Sequence, residues 1–449
     1  MVERAGHKVE KEGSRKSFTG YNQHQQLKVL PDNWDFRQLK DISTQVVQKA
    51  KDQKLETLSI SAGIGFINQA EKFGKELSGK QYVSYTVVRK GDFVYNKGNS
   101  KSYPQGCIYR LEDREISAVP NVFISFRLKK KSLESDYYKH LFISGYLNPQ
   151  LVKLINAGVR NDGLLNLYNE DFFSCSVPVP PLLEQQKIAE ILNLCDKIID
   201  LKQQLIEQEK ERKKWLLQSL LNPNNQARHR KTFKEWKTVA LGNLFFFGPS
   251  LSASRAELGT SGICYLHYGD IHSNPTTTVD IDRDFTSLPK IQLTHEKYDS
   301  LQNGDVVFVD ASEDYAGVSK FVVVNNPRNI PFVPGLHTIP GKSKTNDLDI
   351  NFKKYLFQAS SFKRQASFYA SGMKVYGLTK NNLAKIMVSF PELREQEAIS
   401  KVLMSEDRTV ALYEQELNEW QKRKKSLMQL LLLGIVRVWD EEAQSCQVT

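Results

Sequence analysis

One long stretch occurs twice in this chain, and this repeat limits the possible folds more than any other feature. The first copy, 180–221, reads PPLLEQQKIAEILNLCDKIIDLKQQLIEQEKERKKWLLQSLL, and the second, 391–432, reads PELREQEAISKVLMSEDRTVALYEQELNEWQKRKKSLMQLLL. A shift of 211 positions aligns both ends without a gap and places Glu395 on Glu184 and Gln396 on Gln185. An internal repeat of this length indicates that the whole chain consists of two related halves.

Each copy has the pattern of a single long helix. Proline at the start and glutamate in the first turn both favour a helix N-terminus. Apolar residues then recur at close to seven-residue spacing, which is typical of paired helices. Lys202 and Glu209 interrupt the seam and favour a pair completed by helices of a partner. The predicted helix–helix and partner seam consists of Ile188, Leu192, Ile199, Leu205, Leu216, Ile399, Leu403, Val410, Leu417 and Leu427.

A strand-rich section of similar plan precedes each long helix. Trp34 opens the first section and Trp236 opens the second, and each section ends in a short strand before proline. Gly91-Asp92 and Gly304-Asp305 mark turns at the same place, because glycine allows a positive φ and aspartate bonds to its own backbone. The fold class predicted for each section is therefore α/β (α+β).

The repeat and the changes in pattern also predict the boundaries along the chain. We expect a flexible N-terminal arm at 1–27, a first globular domain at 28–180 and a first long helix at 181–222. A linker at 223–232 leads to a second domain at 233–390, a second long helix at 391–433 and a C-terminal tail at 434–449.

Composition narrows the class of partner. The chain has 449 residues, 40% of them hydrophobic, and a formal net charge of +11, which points to a polyanion and first of all to nucleic acid. Its five cysteines have no CxxC spacing, which favours a reducing compartment without a disulfide framework or zinc site. No apolar run reaches the length of a membrane span. We therefore expect a cytoplasmic protein.

A search for catalytic motifs yields none. The chain has no Asn-Pro-Pro-aromatic or Asp-Pro-Pro-aromatic motif, no P-loop, no HExxH and no GxSxG. Gly63 and Gly65 flank a position where we expect a tight bend within the sheet. A metal site at His267 and His272 is conceivable, but strand alternation with ordinary polar partners is the favoured interpretation. We expect no catalytic residue, metal or cofactor in this chain.

Polar and basic loops between the predicted strands are the candidates for binding. Lysine and arginine suit phosphate or guanine, and asparagine and serine suit base edges. The loops differ between the two halves, whereas the tryptophan, the Gly-Asp turn and the final proline agree. This contrast favours two domains that recognise different targets. The candidate DNA-binding residues are Lys97, Asn99, Lys101, Tyr103, Arg160, Asn161, Tyr315, Ser319, Lys320, Lys374 and Tyr376.

The segments PPLLEQQKIAEIL and PELREQEAISKVL, together with the tryptophan at each domain entry, resemble the specificity subunit of type I restriction–modification enzymes. The resemblance implies two target recognition domains, each reading one half of a split, asymmetric sequence in double-stranded DNA. It also implies that the two long helices pack as an antiparallel coiled-coil spacer with pseudo-twofold symmetry.

The same resemblance implies partners that carry the chemistry. Two methyltransferase (modification) subunits and restriction–translocase subunits would dock on this chain, which would itself be non-catalytic. Adenine-N6 methylation and ATP-dependent cleavage, with S-adenosylmethionine, ATP and Mg²⁺, would belong to those partners.

Two other classes of function stay open at this point. One is a coiled-coil scaffold that binds proteins and no DNA, and the other is a single-chain DNA methyltransferase or nuclease with unfamiliar motifs. The basic charge balance and the dissimilar loops disfavour the scaffold, and the missing motifs disfavour the enzyme.

Overall fold

The structure is a computed structural model that describes residues 19–20, 28–29, 31–73, 79–98, 101–129, 132–155, 164–223, 235–293, 298–372 and 375–438. The chain divides into two compact units. The first unit comprises 1–202 and 416–449, and the second comprises 203–415. Most of the predicted N-terminal arm, and the predicted linker from 224 onward, lie outside the described residues.

The globular part of the first unit is a mixture of short strands and short helices, followed by the first long helix, α6. The strands are β1 Thr19–Gly20, β2 Lys28–Val29, β3 Asp35–Gln38, β4 Ser43–Gln45, β5 Leu58–Ser61, β6 Gly65–Asn68, β7 Thr86–Arg89, β8 Phe93–Asn96, β9 Cys107–Arg110, β10 Ile116–Val119, β11 Ile124–Leu128 and β12 Ser176–Val179. The helices are α1 Leu39–Ile42, α2 Gln69–Phe73, α3 Ser135–Ile143, α4 Asn148–Leu154, α5 Asn169–Ser174 and α6 Leu182–Leu220.

The second unit has the same kind of globular part, followed by the second long helix, α14. Its strands are β13 Lys237–Ala240, β14 Phe245–Phe247, β15 Leu258–Gly259, β16 Ile263–Leu266, β17 Thr278–Asp280, β18 Lys290–Ile291, β19 Val306–Val309, β20 Ala311–Ser312, β21 Phe321–Asn325, β22 Phe332–Pro334, β23 Thr338–Ser343, β24 Tyr376–Gly377 and β25 Met387–Phe390. Its helices are α7 Leu241–Leu244, α8 Tyr268–Ser273, α9 Ile281–Asp284, α10 Tyr315–Val318, α11 Ile350–Leu356, α12 Ser360–Tyr369, α13 Lys380–Lys385 and α14 Leu393–Leu432.

The two units share one sheet plan. In the first unit the central sheet has the order β4-β11-β8-β9, and in the second it has the order β14-β23-β19-β21 with β17 added at the edge. The strand before each long helix pairs antiparallel with the strand at the domain entry, β12 with β3 and β25 with β13. The predicted α/β repeat with two long helices is confirmed.

The predicted Gly-Asp turns are also present in both units. Gly91 has φ +89° and Gly304 has φ +84°, values that residues with a Cβ rarely adopt. The carboxylate of Asp92 accepts the backbone N–H of Arg89 at 2.8 Å. Asp305 accepts the N–H of Gln302 at the same distance. Each turn therefore closes through its own aspartate, as the sequence predicts.

Each core is completed by halves of both long helices. In the first unit, Ile188 and Leu192 from α6 pack in one cluster with Leu431 and Leu432 from α14. In the second unit, Ile399 and Leu403 from α14 share a cluster with residues from the end of α6. These four predicted seam residues from the first halves of the helices are buried. The half-buried members of the predicted seam are Ile199, Leu205, Leu216, Val410, Leu417 and Leu427.

Ion pairs show that the helix halves run antiparallel within each unit. In the first unit Lys202 contacts Glu416 at 2.6 Å, and Asp196 contacts Lys424 farther along. The polar interruption of the seam at Lys202 is thus paired within this chain, and a partner helix is not needed to satisfy it.

The second unit has the same antiparallel arrangement. Lys210 contacts Glu414 at 2.9 Å, and Arg212 contacts Glu406 at 2.6 Å. Glu209, the other polar interruption of the seam, lies 2.8 Å from Arg212. Within the described residues, no helix has the length and apolar character needed to cross a membrane.

Candidate nucleic-acid interface

The repeated Glu-Gln pair at the start of each long helix anchors the globular part to that helix. Gln185 is fully buried; its Oε1 accepts the N–H of Glu134 at 2.8 Å, and its Nε2 donates to the carbonyl of Pro180 at 2.7 Å. Gln396 repeats the pattern with Asp349 N–H at 2.9 Å and the carbonyl of Pro391 at 2.8 Å. Because one amide bridges two backbone segments, glutamine is the side chain that this position requires.

The glutamate of each pair binds the tryptophan at the domain entry. Trp34 donates its indole N–H to Glu184 at 2.9 Å, and Trp236 donates to Glu395 at 3.4 Å. In the first unit, Arg437 from the C-terminal segment also contacts Glu184, with Nε 2.6 Å from the carboxylate. A nearly buried carboxylate needs such charged partners, so the motif is explained by structure and not by catalysis.

A third repeated contact joins each globular part to both helix halves. Asp196 pairs with Lys424 in the first unit, and Asp407 pairs with Lys213 at the equivalent place in the second. The globular parts reach these carboxylates differently. In the second unit, the hydroxyl of Tyr355 donates to Asp407 at 2.7 Å.

In the first unit, a buried histidine stands where the second unit has Tyr355. His140 Nε2 lies 2.9 Å from the side-chain oxygen of Asn193, and Nδ1 lies 3.9 Å from Asp196. Burial lowers the pKa of His140 to about 4, so the ring is neutral at physiological pH. The two units thus share the ion pair but differ in the side chain packed on it.

The second unit brings several of the predicted binding residues to one surface. Strand β20 pairs with β24, which sets Ser312 opposite Tyr376. Helix α10 follows β20, and its first residue, Tyr315, places its ring 3.9 Å from the ring of Tyr376. Tyr315 is 49% exposed, so a large aromatic face is accessible beside a short strand.

Basic and aromatic side chains continue this surface. Lys320 is exposed and donates its ammonium to the carbonyl of His272 at 2.7 Å. The ring of Tyr268 stands edge-on to those of His272, at 5.8 Å, and His337, at 5.3 Å. Together with Tyr315 and Tyr376, these residues form what we call the second-unit surface. Its tyrosines suit stacking or groove contacts, and its lysine suits phosphate.

One predicted feature of this region needs correction, and one candidate residue is mostly buried. The segment from His267 to Ser273 is not a strand: it is helix α8 with its N-cap. His267 Nδ1 accepts the N–H of Gly269 at 3.1 Å, and Asp270 accepts the N–H of His267 at 2.9 Å. This reciprocal capping competes successfully with the strand pattern. Ser319 is only 7% exposed, so its side chain faces the interior of the unit.

The first unit offers a different surface, built on a hairpin. Strands β5 and β6 pair antiparallel, and the predicted tight bend lies between them at Gly63, φ +84°, and Gly65, φ +107°. The hydroxyl of Tyr109 accepts the N–H of Gly63 at 2.9 Å. Ile64 at the tip is 74% exposed. The hairpin tip is therefore apolar and exposed, and the hydroxyl of Tyr109 holds its backbone in place.

Three of the predicted candidates of the first unit are described, and one of them, Tyr103, lies beside this hairpin. Tyr103 is half-buried beside Gly63, and Lys101 is exposed. Lys97 donates its ammonium to the carbonyl of Leu167 at 3.4 Å. The remaining candidates of both units, Asn99, Arg160, Asn161 and Lys374, lie outside the described residues. As DNA contacts, all the candidate residues stay predictions.

Each long helix also exposes apolar side chains at equivalent positions. Leu201 in the first unit is 53% exposed, and its repeat partner Leu412 in the second is 50% exposed. Leu182 and Leu393, which form another repeat pair, are 40% and 46% exposed. The exposure of these large apolar side chains therefore repeats in both long helices.

Comparison with known proteins assigns the chain to a family. The family model described as the type I restriction modification DNA specificity domain matches residues 31–210 and again 233–421. The chain belongs to this family. It is a non-catalytic subunit whose function is to recognise DNA, and neither alternative, the scaffold nor the single-chain enzyme, is favoured.

Individual relatives agree with this assignment. The putative type I restriction enzyme MjaX specificity subunit of Methanocaldococcus jannaschii is 24% identical over 442 residues, which cover 91% of this chain and 95% of the relative. The MjaVIII specificity subunit of the same organism is 25% identical over 321 residues, covering 69% and 72%.

A solved structure supports the fold. One chain from a study of complex assembly and conformational transition of the type I R-M system matches with a TM-score of 0.57 at 16% identity. The match covers 90% of this specificity subunit and 99% of that chain.

Proposed function

We propose that this specificity subunit reads a split, asymmetric sequence in double-stranded DNA, with one unit for each half of the target. The main support is a contrast between the contacts that recur in both units, which we call the frame, and the exposed surfaces built on them. The tryptophan–glutamate contact, the glutamine anchor and the lysine–aspartate pair recur in both units. Among the described residues, the exposed side chains on those frames differ, with Tyr315 in the second unit and Ile64 in the first.

That contrast has a direct physical meaning. A repeated frame presents two surfaces to the DNA in the same way, whereas different side chains on those surfaces read different bases. The second-unit surface carries two tyrosine rings in contact, histidine and lysine, whereas the hairpin of the first unit carries an isoleucine tip. The two halves of the target should therefore differ in sequence.

We further propose that two copies of a methyltransferase subunit dock on the exposed leucines of the long helices, and that restriction–translocase subunits join them. The support is the nearly equal exposure of Leu201 and Leu412, since identical partners need equivalent contacts. In this arrangement S-adenosylmethionine, ATP and Mg²⁺ belong to the partners, and this chain contributes recognition alone.

Methylome sequencing tests the DNA-reading proposal. The gene is expressed with its methyltransferase partner, and modified adenines are mapped with and without it. We expect a split motif that depends on this chain. Replacing 236–390 by the corresponding region of a relative should change one half of the motif only. A change in both halves would show that the two units do not read independently.

Partner docking is tested separately. Leu201→Lys and Leu412→Lys should each remove one methyltransferase subunit from the complex, and the double variant should remove both, as measured by native mass spectrometry. Gln203→Lys adds the same charge at an exposed position and serves as the control. Full assembly of the double variant would contradict the proposed docking surface.

A further inference from the structure

We propose that His337, oriented by Asp310, contacts a base edge in the half-site read by the second unit. This inference rests on the proposed DNA-reading function and names one residue that carries out the reading. No sequence motif points to His337, and it was not among the predicted candidates. The inference depends on its backbone conformation, on its fixed surroundings and on the contacts of its ring.

The backbone of His337 is strained. It lies in the turn between β22 and β23 with φ +58°, in the left-handed region that a Cβ disfavours. Glycine would occupy this position without that strain. A residue that keeps an unfavourable conformation points to a role for its side chain.

The turn around His337 is rigid. The N–H of Leu336 donates to the hydroxyl of Tyr265 at 2.6 Å, and its carbonyl accepts the N–H of Tyr268 at 3.3 Å. The carbonyl of His337 accepts the N–H of Asp310 at 3.2 Å. These bonds come from separate segments of the second unit, so the turn is held in place before any ligand arrives. A side chain on such a turn is preorganised for recognition.

The ring of His337 is fixed on one side only. Its Nδ1 lies 3.1 Å from Asp310 Oδ1, and the ring of Tyr268 packs against it at 88°. The histidine side chain is 47% exposed. In the part of the chain that the structure describes, Nε2 has no hydrogen-bond partner. A ring that is held at one nitrogen and open at the other can bond to a base edge in a groove.

The surroundings favour DNA as the ligand. Asp310 follows β19, and the N–H of Val309 donates to the carbonyl of Lys320 at 3.1 Å. The ammonium of Lys320 donates to the carbonyl of His272, and the rings of His272 and His337 both pack against Tyr268, so Lys320 belongs to the same surface as His337. The lysine can contact phosphate, which positions a protein on DNA. The fixed histidine ring beside it can contact a base edge, which reads the sequence.

The comparison between the two units supports a reading role over a structural one. In the first unit, the turn 120–123 precedes β11, the strand that holds the place of β23 in the central sheet, and all four of its residues are described. None of them has a positive φ. Contacts that maintain the frame recur in both units, whereas His337 does not. A residue that is present in one unit only is expected on the DNA-reading surface, because that surface has to differ between the two half-sites.

The experiment uses the full chain in complex with its methyltransferase partner. Binding is measured against a library that carries every single base-pair change in the target. We expect His337→Gly to reduce discrimination about tenfold at one base pair of the second unit's half-site, within the range of one good base contact. Because glycine removes the strain, the melting temperature should stay the same or rise. Asp310→Asn should relax the same position, to a smaller extent.

Two control variants separate the explanations. Asn329→Gly relieves a positive φ of 53° at an exposed turn of the same unit and should leave discrimination unchanged. Lys320→Ala should weaken binding uniformly across the library and reduce its salt dependence, as a phosphate contact does.

Three outcomes would overturn the inference. If His337→Gly leaves base discrimination unchanged, His337 does not read a base. If the same variant also melts at a lower temperature, His337 has a structural role in the turn. A uniform loss of affinity would indicate a phosphate contact. If the unaltered complex shows no sequence preference at all, the proposed function itself fails, and this result is distinct from the other two.

Discussion

The glutamine anchors offer the sharpest test of how the globular parts are fixed to the long helices. Replacing Gln396 by alanine removes a fully buried amide that makes three hydrogen bonds. Its Oε1 accepts from the N–H of Asp349 at 2.9 Å, and its Nε2 donates to the carbonyls of Asp347 at 2.7 Å and Pro391 at 2.8 Å. No other side chain of this size can replace both the acceptor and the donors.

The expected loss follows from these three bonds. A typical hydrogen bond contributes about 1 kcal/mol net, and a buried group left without a partner costs about 1–3 kcal/mol. Only the bond to Pro391 is fully buried, whereas water can reach the groups of Asp347 and Asp349 after the change. We therefore expect the second unit to lose about 2–4 kcal/mol of stability. Gln185→Ala should produce a similar loss in the first unit, because its contacts are equivalent.

Hydrogen exchange measured by mass spectrometry can assign the loss to one unit. Peptides covering Ile350–Leu356, which follow the anchored Asp349, should exchange faster in Gln396→Ala by about 30- to 900-fold, the equivalent of 2–4 kcal/mol. Gln208→Ala, at an exposed position of α6 in the same unit, is the control. If both variants exchange alike, the anchor does not stabilise the unit and the argument from its hydrogen bonds is wrong.

Three further predictions concern the first unit. Burial lowers the pKa of His140 from 6.5 to about 4, so the unfolded chain binds a proton at a higher pH than the folded chain does. The free energy of unfolding should therefore drop by about 3 kcal/mol between pH 6.5 and pH 4. Urea unfolding of His140→Gln should show a weaker pH dependence. Asp92→Asn should cost about 1–3 kcal/mol, because the buried carboxylate accepts two hydrogen bonds from Arg127, at 2.6 and 2.9 Å. Exposed Asp113→Asn is the control, and equal unfolding midpoints would contradict this expectation. A chain shortened to end after Leu432 lacks Arg437 and its contact with Glu184, so its first unit should unfold at a lower temperature than in a matched chain shortened to end after Val438; equal midpoints would mean that 433–438 does not stabilise the unit.

The frame of this fold is predictable from sequence because its signals are local or repeated. The long helices follow from an uninterrupted apolar period, and the turns at Gly91 and Gly304 follow from glycine before aspartate. The role of Glu184 and Gln185 could not be derived in the same way. Their partners lie far away in the chain, at Trp34 and Glu134, and no periodicity connects them.

The second-unit surface shows why the candidate site was only partly predictable. The composition of their loops predicts both Tyr315 and Tyr376 as binding candidates, but the contact between their rings depends on the pairing of β20 with β24. Those strands have two residues each, too few for an alternating pattern to be detected. The positive φ of His337 leaves no trace in sequence, because the residue is not glycine. The residues from His267 to Asp270 fit both strand alternation and a helix cap, and the sequence alone does not decide between them.

The assembly of each core explains why the helices repeat more closely than the globular parts. The first core takes Met428, Leu431 and Leu432 from the second helix. Leu217, Leu220 and Leu221, their equivalents by the 211-residue shift, pack in the second core. Each helix therefore supplies its first half to one core and its last half to the other, and both ends must keep their packing partners. The surfaces meet no such demand within the chain, so they are free to differ, and a change of target can arise there without repacking either core.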